Sequence, residues 1–175
     1  MFSIIIPTYN SKKTIENTLN SCINQSYKNF EIILVDDCSK DNTAELINSY
    51  IKKHKDYNIT FFQLEKNMGP SYARNKGLEH SQGEYVALLD ADDIFHPKKL
   101  EIIQSILSMH KDIDVLGHGF TLDDFSIIKE MDNEPKKIGC YKLLIKNFAV
   151  TSSVVFKRNN KMRFDETMRY TEDHD

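Results

Sequence analysis

The chain has 175 residues, 40% hydrophobic and 28% charged, which is enough for one domain with a real core and too few for two. Its 23 basic and 26 acidic residues leave a formal net charge of −3. That charge offers no basic field for a nucleic-acid backbone, and an anionic small molecule would need a metal or a local Arg. Cys22, Cys38 and Cys140 are odd in number and lack C-x-x-C spacing, so they indicate neither a disulfide framework nor a zinc site and suit a reducing compartment.

Ser3-Ile4-Ile5-Ile6 reads as a first strand, broken at Pro7 and too short for a signal-peptide core or a membrane span. A soluble, cytoplasmic chain with no transmembrane segment of its own is expected. Past the turn at Pro7-Thr8-Tyr9-Asn10, Ile15, Leu19, Cys22 and Ile23 recur at helical spacing behind Ser11, the expected N-cap. Ile32 to Val35 repeats the strand, and Ser39 or Asp41 is placed to cap a helix with Ala44, Ile47 and Ile51 on one face. Ile59 to Phe62 is a third strand. The turn Asn67-Met68-Gly69-Pro70 then opens a helix through Ala73, Arg74 and Leu78, closed near Gly83. Pro at a first helical position is favourable, and such an N-terminus suits anionic ligands.

Tyr85 to Leu89 is a fourth strand, followed by an acidic loop and a helix from Pro97 through Leu100, Ile103 and Leu107. Successive β-then-α units predict an α/β fold with a mostly parallel sheet flanked by helices. Beyond Asp112 the rhythm changes to strand-like pieces, Val115 to Phe120, Ser126 to Lys129 and Val150 to Phe156, around a Lys-rich segment at Glu134 to Ile138. Some antiparallel strands and a mobile loop are expected there. The acidic stretch Thr171-Glu172-Asp173-His174-Asp175 reads as an interrupted terminus.

Two apolar strands end in acid. Glu31-Ile32-Ile33-Leu34-Val35 runs into Asp36-Asp37, and Leu88-Leu89 runs into Asp90-Ala91-Asp92-Asp93. Carboxylates delivered at strand C-termini converge on the edge where open α/β sheets bind ligands. Like charges about 4 Å apart repel by roughly 4 kcal/mol at a surface dielectric, so the second cluster asks for a counter-charge, and Mg²⁺ or Mn²⁺ suits its oxygen donors. The alternative role for Asp92 or Asp93 is capping the following helix, and for Asp36 and Asp37 holding a capping loop. Tyr9 offers a stacking face or packs at the sheet edge. Arg74, scarce beside abundant Lys, suits bidentate contact with phosphate or carboxylate. His96 and His118 share no ligand spacing, and His174 is only a remote metal candidate.

In order along the chain, Ser3-Ile4-Ile5-Ile6-Pro7-Thr8-Tyr9-Asn10, Ile33-Leu34-Val35-Asp36-Asp37-Cys38-Ser39, Asn67-Met68-Gly69-Pro70-Ser71-Tyr72-Ala73-Arg74-Asn75, Gly83-Glu84-Tyr85-Val86-Ala87-Leu88-Leu89-Asp90-Ala91-Asp92-Asp93 and Thr171-Glu172-Asp173 resemble the family 2 inverting glycosyltransferases. Cys38 stands where that family usually has Gly or Asn, one small residue for another. The resemblance implies a GT-A fold, Rossmann-like, with a nucleotide-binding half over residues 1–110 and an acceptor-side half over 111–175 of a single domain. It implies that Pro7 and Tyr9 line a base pocket, Asp37 binds the base, and Gly69, Ala73 and Arg74 flank the nucleotide. Asp90, with Ala91 beside it, would approach the ribose and donor sugar. Asp92 would coordinate a divalent cation, Mn²⁺ or Mg²⁺, on the diphosphate, and Asp173 would be the general base. The implied partners are a nucleoside-diphosphate sugar, a UDP-sugar foremost, and a saccharide or lipid-linked saccharide acceptor. The setting is cell-envelope polysaccharide synthesis in the cytoplasm, at the inner face of the membrane.

Three other readings compete. A haloacid-dehalogenase-like phosphoryl-transfer enzyme also places D-x-D after an apolar strand but continues as D-x-D-G-T, whereas Asp93-Ile94-Phe95 follows here. A non-enzymatic receiver-like signalling domain would be shorter and begin with the strand that leads into Asp36-Asp37. A sugar-nucleotide pyrophosphorylase carries a Gly-rich loop where Pro7-Thr8-Tyr9-Asn10 stands.

Overall fold

The computed structural model describes residues 1–118, 151–159 and 161–167. The expected strand at Ser126 to Lys129, the Lys-rich segment, Cys140, Asp173 and His174 lie outside them. The elements are β1 (Phe2–Thr8), α1 (Ile15–Ile23), β2 (Phe30–Asp36), α2 (Thr43–Lys53), β3 (Ile59–Gln63), α3 (Pro70–His80), β4 (Tyr85–Leu88), α4 (Lys99–Met109), β5 (Val115–Gly117), a 3₁₀ turn (Thr151–Ser153) and β6 (Val154–Lys157).

Among the described residues one six-stranded sheet runs in the order β3-β2-β1-β4-β6-β5. β1 to β4 are mutually parallel, while β6 runs antiparallel to both β4 and β5. The central strands are continuous apolar runs because helices cover both faces. Ile4, Ile6, Ile32 and Leu34 pack in one core with Ile15, Leu19, Ile47, Leu100 and Ile103 of α1, α2 and α4. The alternate residues face α3: Ile5 packs with Leu78, and Ile33 and Val35 with Ala73. α3 lies so close that a Cβ on Gly77 would meet Ile5 Cγ2 at 2.5 Å.

Some boundaries differ from the sequence reading, each because a turn takes the residues first. Ser11 does not cap α1; its carbonyl accepts from Thr14 and Ile15 N–H at 3.0 and 2.9 Å, so helical geometry begins at Ile15. Asp41 rather than Ser39 serves α2, its Oδ1 accepting the Thr43 N–H at 3.0 Å. α4 starts at Lys99 because Lys99 N–H closes a turn onto the His96 carbonyl at 2.9 Å. The stretch read as a strand from Val150 begins its ladder only at Val154, after the 3₁₀ turn.

Candidate functional site at the carboxyl edge of the sheet

Strand order reverses at β1, which lies between β2 and β4, and the loops leaving these three strands meet beyond their C-terminal ends. This is the switch-point crevice in which open α/β sheets bind ligands. Pro7 is the next-to-last residue of β1, and Tyr9, just past the strand's end, is 48% exposed.

The loop after β2 is braced from within. Asp36 is fully buried and accepts from the Ser39 N–H at 3.1 Å, from the Ser39 hydroxyl and from Thr8 Oγ1 at 3.4 Å. Asp37 is 3% exposed; its two oxygens accept the N–H groups of Met68 and Gly69, each at 2.7 Å. Asp37 thereby fixes the turn that enters α3, where Gly69 has φ +91 and Pro70 follows. A Cβ at that φ is strained, so Gly suits the position. Cys38 has φ +63, which shows why Gly or Asn would sit well there: the demand is left-handed backbone rather than small size. Asn10, φ +50, joins the first two loops by accepting the Lys40 N–H at 2.8 Å and donating its own N–H to Ser39 Oγ at 2.9 Å.

The loop after β4 is held from outside. Arg74, 3% exposed on α3, donates Nη2 to Asp90 Oδ1 at 2.9 Å, and its guanidinium lies 5.8 Å from the centre of the Phe164 ring. The Asp90 N–H donates to Ser152 Oγ at 2.9 Å. Thr18 and Ser21 on α1, with Gln25 just past its C-terminal end, secure the rest. Thr18 Oγ1 donates to the Ala91 carbonyl at 2.8 Å, Ser21 Oγ accepts the Phe95 N–H at 3.0 Å, and Gln25 donates to the His96 carbonyl at 2.8 Å while accepting the Leu100 N–H at 3.0 Å. Asp92 is exposed and takes no hydrogen bond from a described residue.

Beneath this loop, Lys99 is 7% exposed, donates to the Ser152 carbonyl at 2.7 Å and lies 3.4 Å from the centre of the Phe95 ring. Burial pulls its pKa down to about 7, against the upward pull of Cys22 and Asp93. Arg74 supplies part of the counter-charge that the acidic cluster demands. Among the described residues no three of His, Cys, Asp and Glu gather as a metal cage. Asp92 alone, outward and unengaged, still fits a cation whose other ligands are substrate phosphates and water, the usual manner of Mg²⁺ in nucleotide sites.

Of the candidates read from sequence, Pro7, Tyr9, Asp37, Gly69, Arg74, Asp90, Ala91 and Asp92 stand on this edge; Ala73 is buried under β2, and Asp173 lies outside the described residues. Sequence reasoning did not select Thr18, Ser21, Gln25, Asn75, Lys99 or Ser152. Asn75 brackets the backbone of Phe164, accepting its N–H at 2.8 Å and donating to its carbonyl at 2.9 Å. Two signals were there to read. Thr18, Ser21 and Gln25 recur at helical spacing, and Lys99 shares the inward 99, 103, 107 face of α4 with Ile103 and Leu107, where a lysine is out of place unless it has a partner.

No helix among the described residues is long and apolar enough to cross a membrane. The family model described as "Glycosyl transferase family 2" matches residues 3–167. The amylovoran biosynthesis glycosyltransferase AmsB of Erwinia amylovora is 33% identical over 187 aligned positions, covering 99% of this chain and 62% of that protein. The putative teichuronic acid biosynthesis glycosyltransferase TuaG of Bacillus subtilis is 44% identical over 101 positions, covering 58% of this chain and 39% of that one. The chain thus spans less than two thirds of the length of these curated relatives. Among solved structures, S. aureus TarS 1–349 in complex with UDP superposes with a TM-score of 0.74 at 30% identity, over 97% of this chain and 52% of that one. The sheet order and the C-terminal antiparallel strands agree with the expected GT-A architecture.

Proposed function

The chain belongs to glycosyl transferase family 2, and on that premise we propose that it moves a sugar from a nucleoside-diphosphate sugar, a UDP-sugar foremost, to an acceptor hydroxyl with inversion at the anomeric carbon. The observation that carries the reading is the convergence at one sheet edge of Asp37 on the α3 turn, the Arg74–Asp90 pair and the exposed Asp92. The solved complex of TarS with UDP, 30% identical over 97% of this chain, supports uridine as the base. The names of AmsB and TuaG support a place in bacterial polysaccharide synthesis.

On this reading each residue has a task. Tyr9 offers its exposed ring to the base, with Pro7 at the pocket wall. Each Asp37 oxygen already accepts one backbone N–H and has a second lone pair for a base N–H. Gly69 and Arg74 stand beside the nucleotide, with Ala73 packed behind them under β2, and Asp90 and Ala91 face the ribose and donor sugar. Asp92 would hold a divalent cation, Mn²⁺ or Mg²⁺, which when bound stabilises the charge that develops on the departing diphosphate. Asp173 would take the proton of the attacking hydroxyl. One base and one displacement invert the centre. The acceptor is a saccharide or lipid-linked saccharide, which would set the protein to work on the cytoplasmic face of a membrane.

The test is isothermal calorimetry of the intact protein with UDP, with and without Mn²⁺, alongside assays of sugar transfer. Wild type should bind UDP more tightly with the metal, and Asp92→Ala should lose that enhancement. Asp173→Asn should keep UDP and metal binding while transfer falls by about 10² to 10⁴. UDP binding without metal enhancement, or an Asp173→Asn protein that turns over normally, would remove Asp92 or Asp173 from its role.

A further inference from the structure

Resting on that donor reading, we propose that Lys99 and Ser152 form a positioning strut that keeps the β4–β6 ladder, paired as far as Ala87 and Val155, from continuing to Asp90 and so sets the aim of the donor-binding loop. The register of the two strands carries the argument. Tyr85 pairs with Lys157, Val86 with Phe156 and Ala87 with Val155, so continuing the same antiparallel register brings Asp90 opposite Ser152. In an uninterrupted ladder the Asp90 N–H would seek a backbone carbonyl on that partner. Here the Ser152 carbonyl accepts from Lys99 Nζ at 2.7 Å, and the Asp90 N–H goes to the Ser152 hydroxyl at 2.9 Å. The lysine occupies the ladder's acceptor, the serine side chain substitutes for it, and the backbone is released into the 3₁₀ turn on one side and the acidic loop on the other.

The arrangement joins three segments remote in sequence: the end of β4, the first turn of α4 and the turn before β6. Packing alone does not call for it. Ile103 and Leu107, one and two turns along the same face of α4, fill the core without a polar group, and an apolar side chain at 99 would avoid the desolvation of an amine. The Phe95 face, 3.4 Å from Nζ, adds a favourable partner for the ammonium and itself belongs to the loop being held. Ser152 holds the backbone of Asp90 and Arg74 holds its carboxylate, so the residue is anchored from two sides. Lys99 and Ser152 touch neither donor nor acceptor in this scheme; they act through Asp90.

The experiment is calorimetry of the intact protein with UDP and Mn²⁺ for wild type, Ser152→Ala, Ser152→Thr, Lys99→Met and the Lys99→Met/Ser152→Ala double variant, with circular dichroism as the check on folding. Ser152→Ala should weaken UDP about tenfold, the usual order for losing one hydrogen bond from a buried N–H, and Ser152→Thr, which keeps the hydroxyl, should restore wild-type affinity. Lys99→Met should weaken binding to a similar extent, and the double variant should be no weaker than the weaker single, since both remove the same strut. If Lys99→Met does not fold, the two serine variants decide the matter by themselves. UDP affinity unchanged in Ser152→Ala, a Ser152→Thr protein as weak as the alanine variant, or effects that multiply in the double variant would overturn the strut while leaving the donor reading intact. A wild-type protein that binds no UDP would remove both.

Discussion

The two acidic loops look alike in sequence, each an apolar strand running into adjacent carboxylates, yet the fold treats them differently. After β2, Asp36 and Asp37 are buried and accept hydrogen bonds from nearby N–H and hydroxyl groups, so their charge is absorbed by dipoles. After β4, Asp90 is met by the full charge of Arg74, Lys99 sits below, and Asp92 is left facing solvent. Dipoles suit a carboxylate whose task is to hold a turn, because amide donors are fixed in direction. A loop meant for an anionic ligand with its own cation needs one carboxylate kept out of such bonds. The contrast makes the first loop chiefly a scaffold and the second chiefly a presenter.

The sharpest test of the contrast is Asp37→Ala. It leaves the Met68 and Gly69 N–H groups without their acceptor, and a chemical unfolding curve should show a loss of about 2 to 3 kcal/mol. UDP should weaken about tenfold to a hundredfold with or without metal, because the α3 turn and a base contact go together. A variant of wild-type stability would contradict the scaffold role.

The charge beneath the second loop leaves a mark on pH dependence. With the Lys99 pKa near 7 in the fold and about 10.4 in the unfolded chain, both states hold the proton below about pH 7, and above it only the unfolded chain does. Stability therefore rises with pH over this window, by at most about 1.4 kcal/mol per unit. Cys22, pushed up to about 12 by burial, acts in the opposite sense only above its ordinary range. Urea midpoints at pH 7, 8 and 9 should rise in wild type relative to Lys99→Met, and parallel curves would mean that the lysine keeps its proton.

Backbone strain in the first loop has a smaller effect. Cys38→Gly relieves a left-handed residue at φ +63 and should raise stability by about 1 kcal/mol, read as a higher unfolding midpoint with UDP affinity unchanged. Asp92→Ala should do least to the fold, within about 0.5 kcal/mol of wild type as for other exposed sites, while abolishing the metal's effect on UDP. A large stability loss there would make Asp92 a scaffold residue like Asp37 and erase the difference between the loops.

Much of this was legible without coordinates. The apolar runs at Ile4–Ile6, Ile32–Val35 and Tyr85–Leu88 each follow the β-then-α rhythm, and a strand buried on both faces must be apolar throughout, so sheet and helix order follow from hydrophobic pattern alone. The meeting of Asp37, Gly69 and Asp90 at one edge was legible too, because parallel strands of a doubly wound sheet all deliver their C-termini to the same side. What the chain by itself could not show is how each charge is satisfied. Arg74 reads as suited to a phosphate or a carboxylate, but Asp90 becomes its partner only when α3 packs against the sheet. Lys99 reads as a lysine on an inward helical face whose acceptor, the Ser152 carbonyl, only the fold supplies. Ser152 carries no signal at all before β6 pairs antiparallel with β4 and sets it opposite Asp90. Periodicity reports which face of an element is apolar, a local property of neighbouring residues. The partner of a buried charge is decided by which remote segment packs there, and only the tertiary fold supplies that.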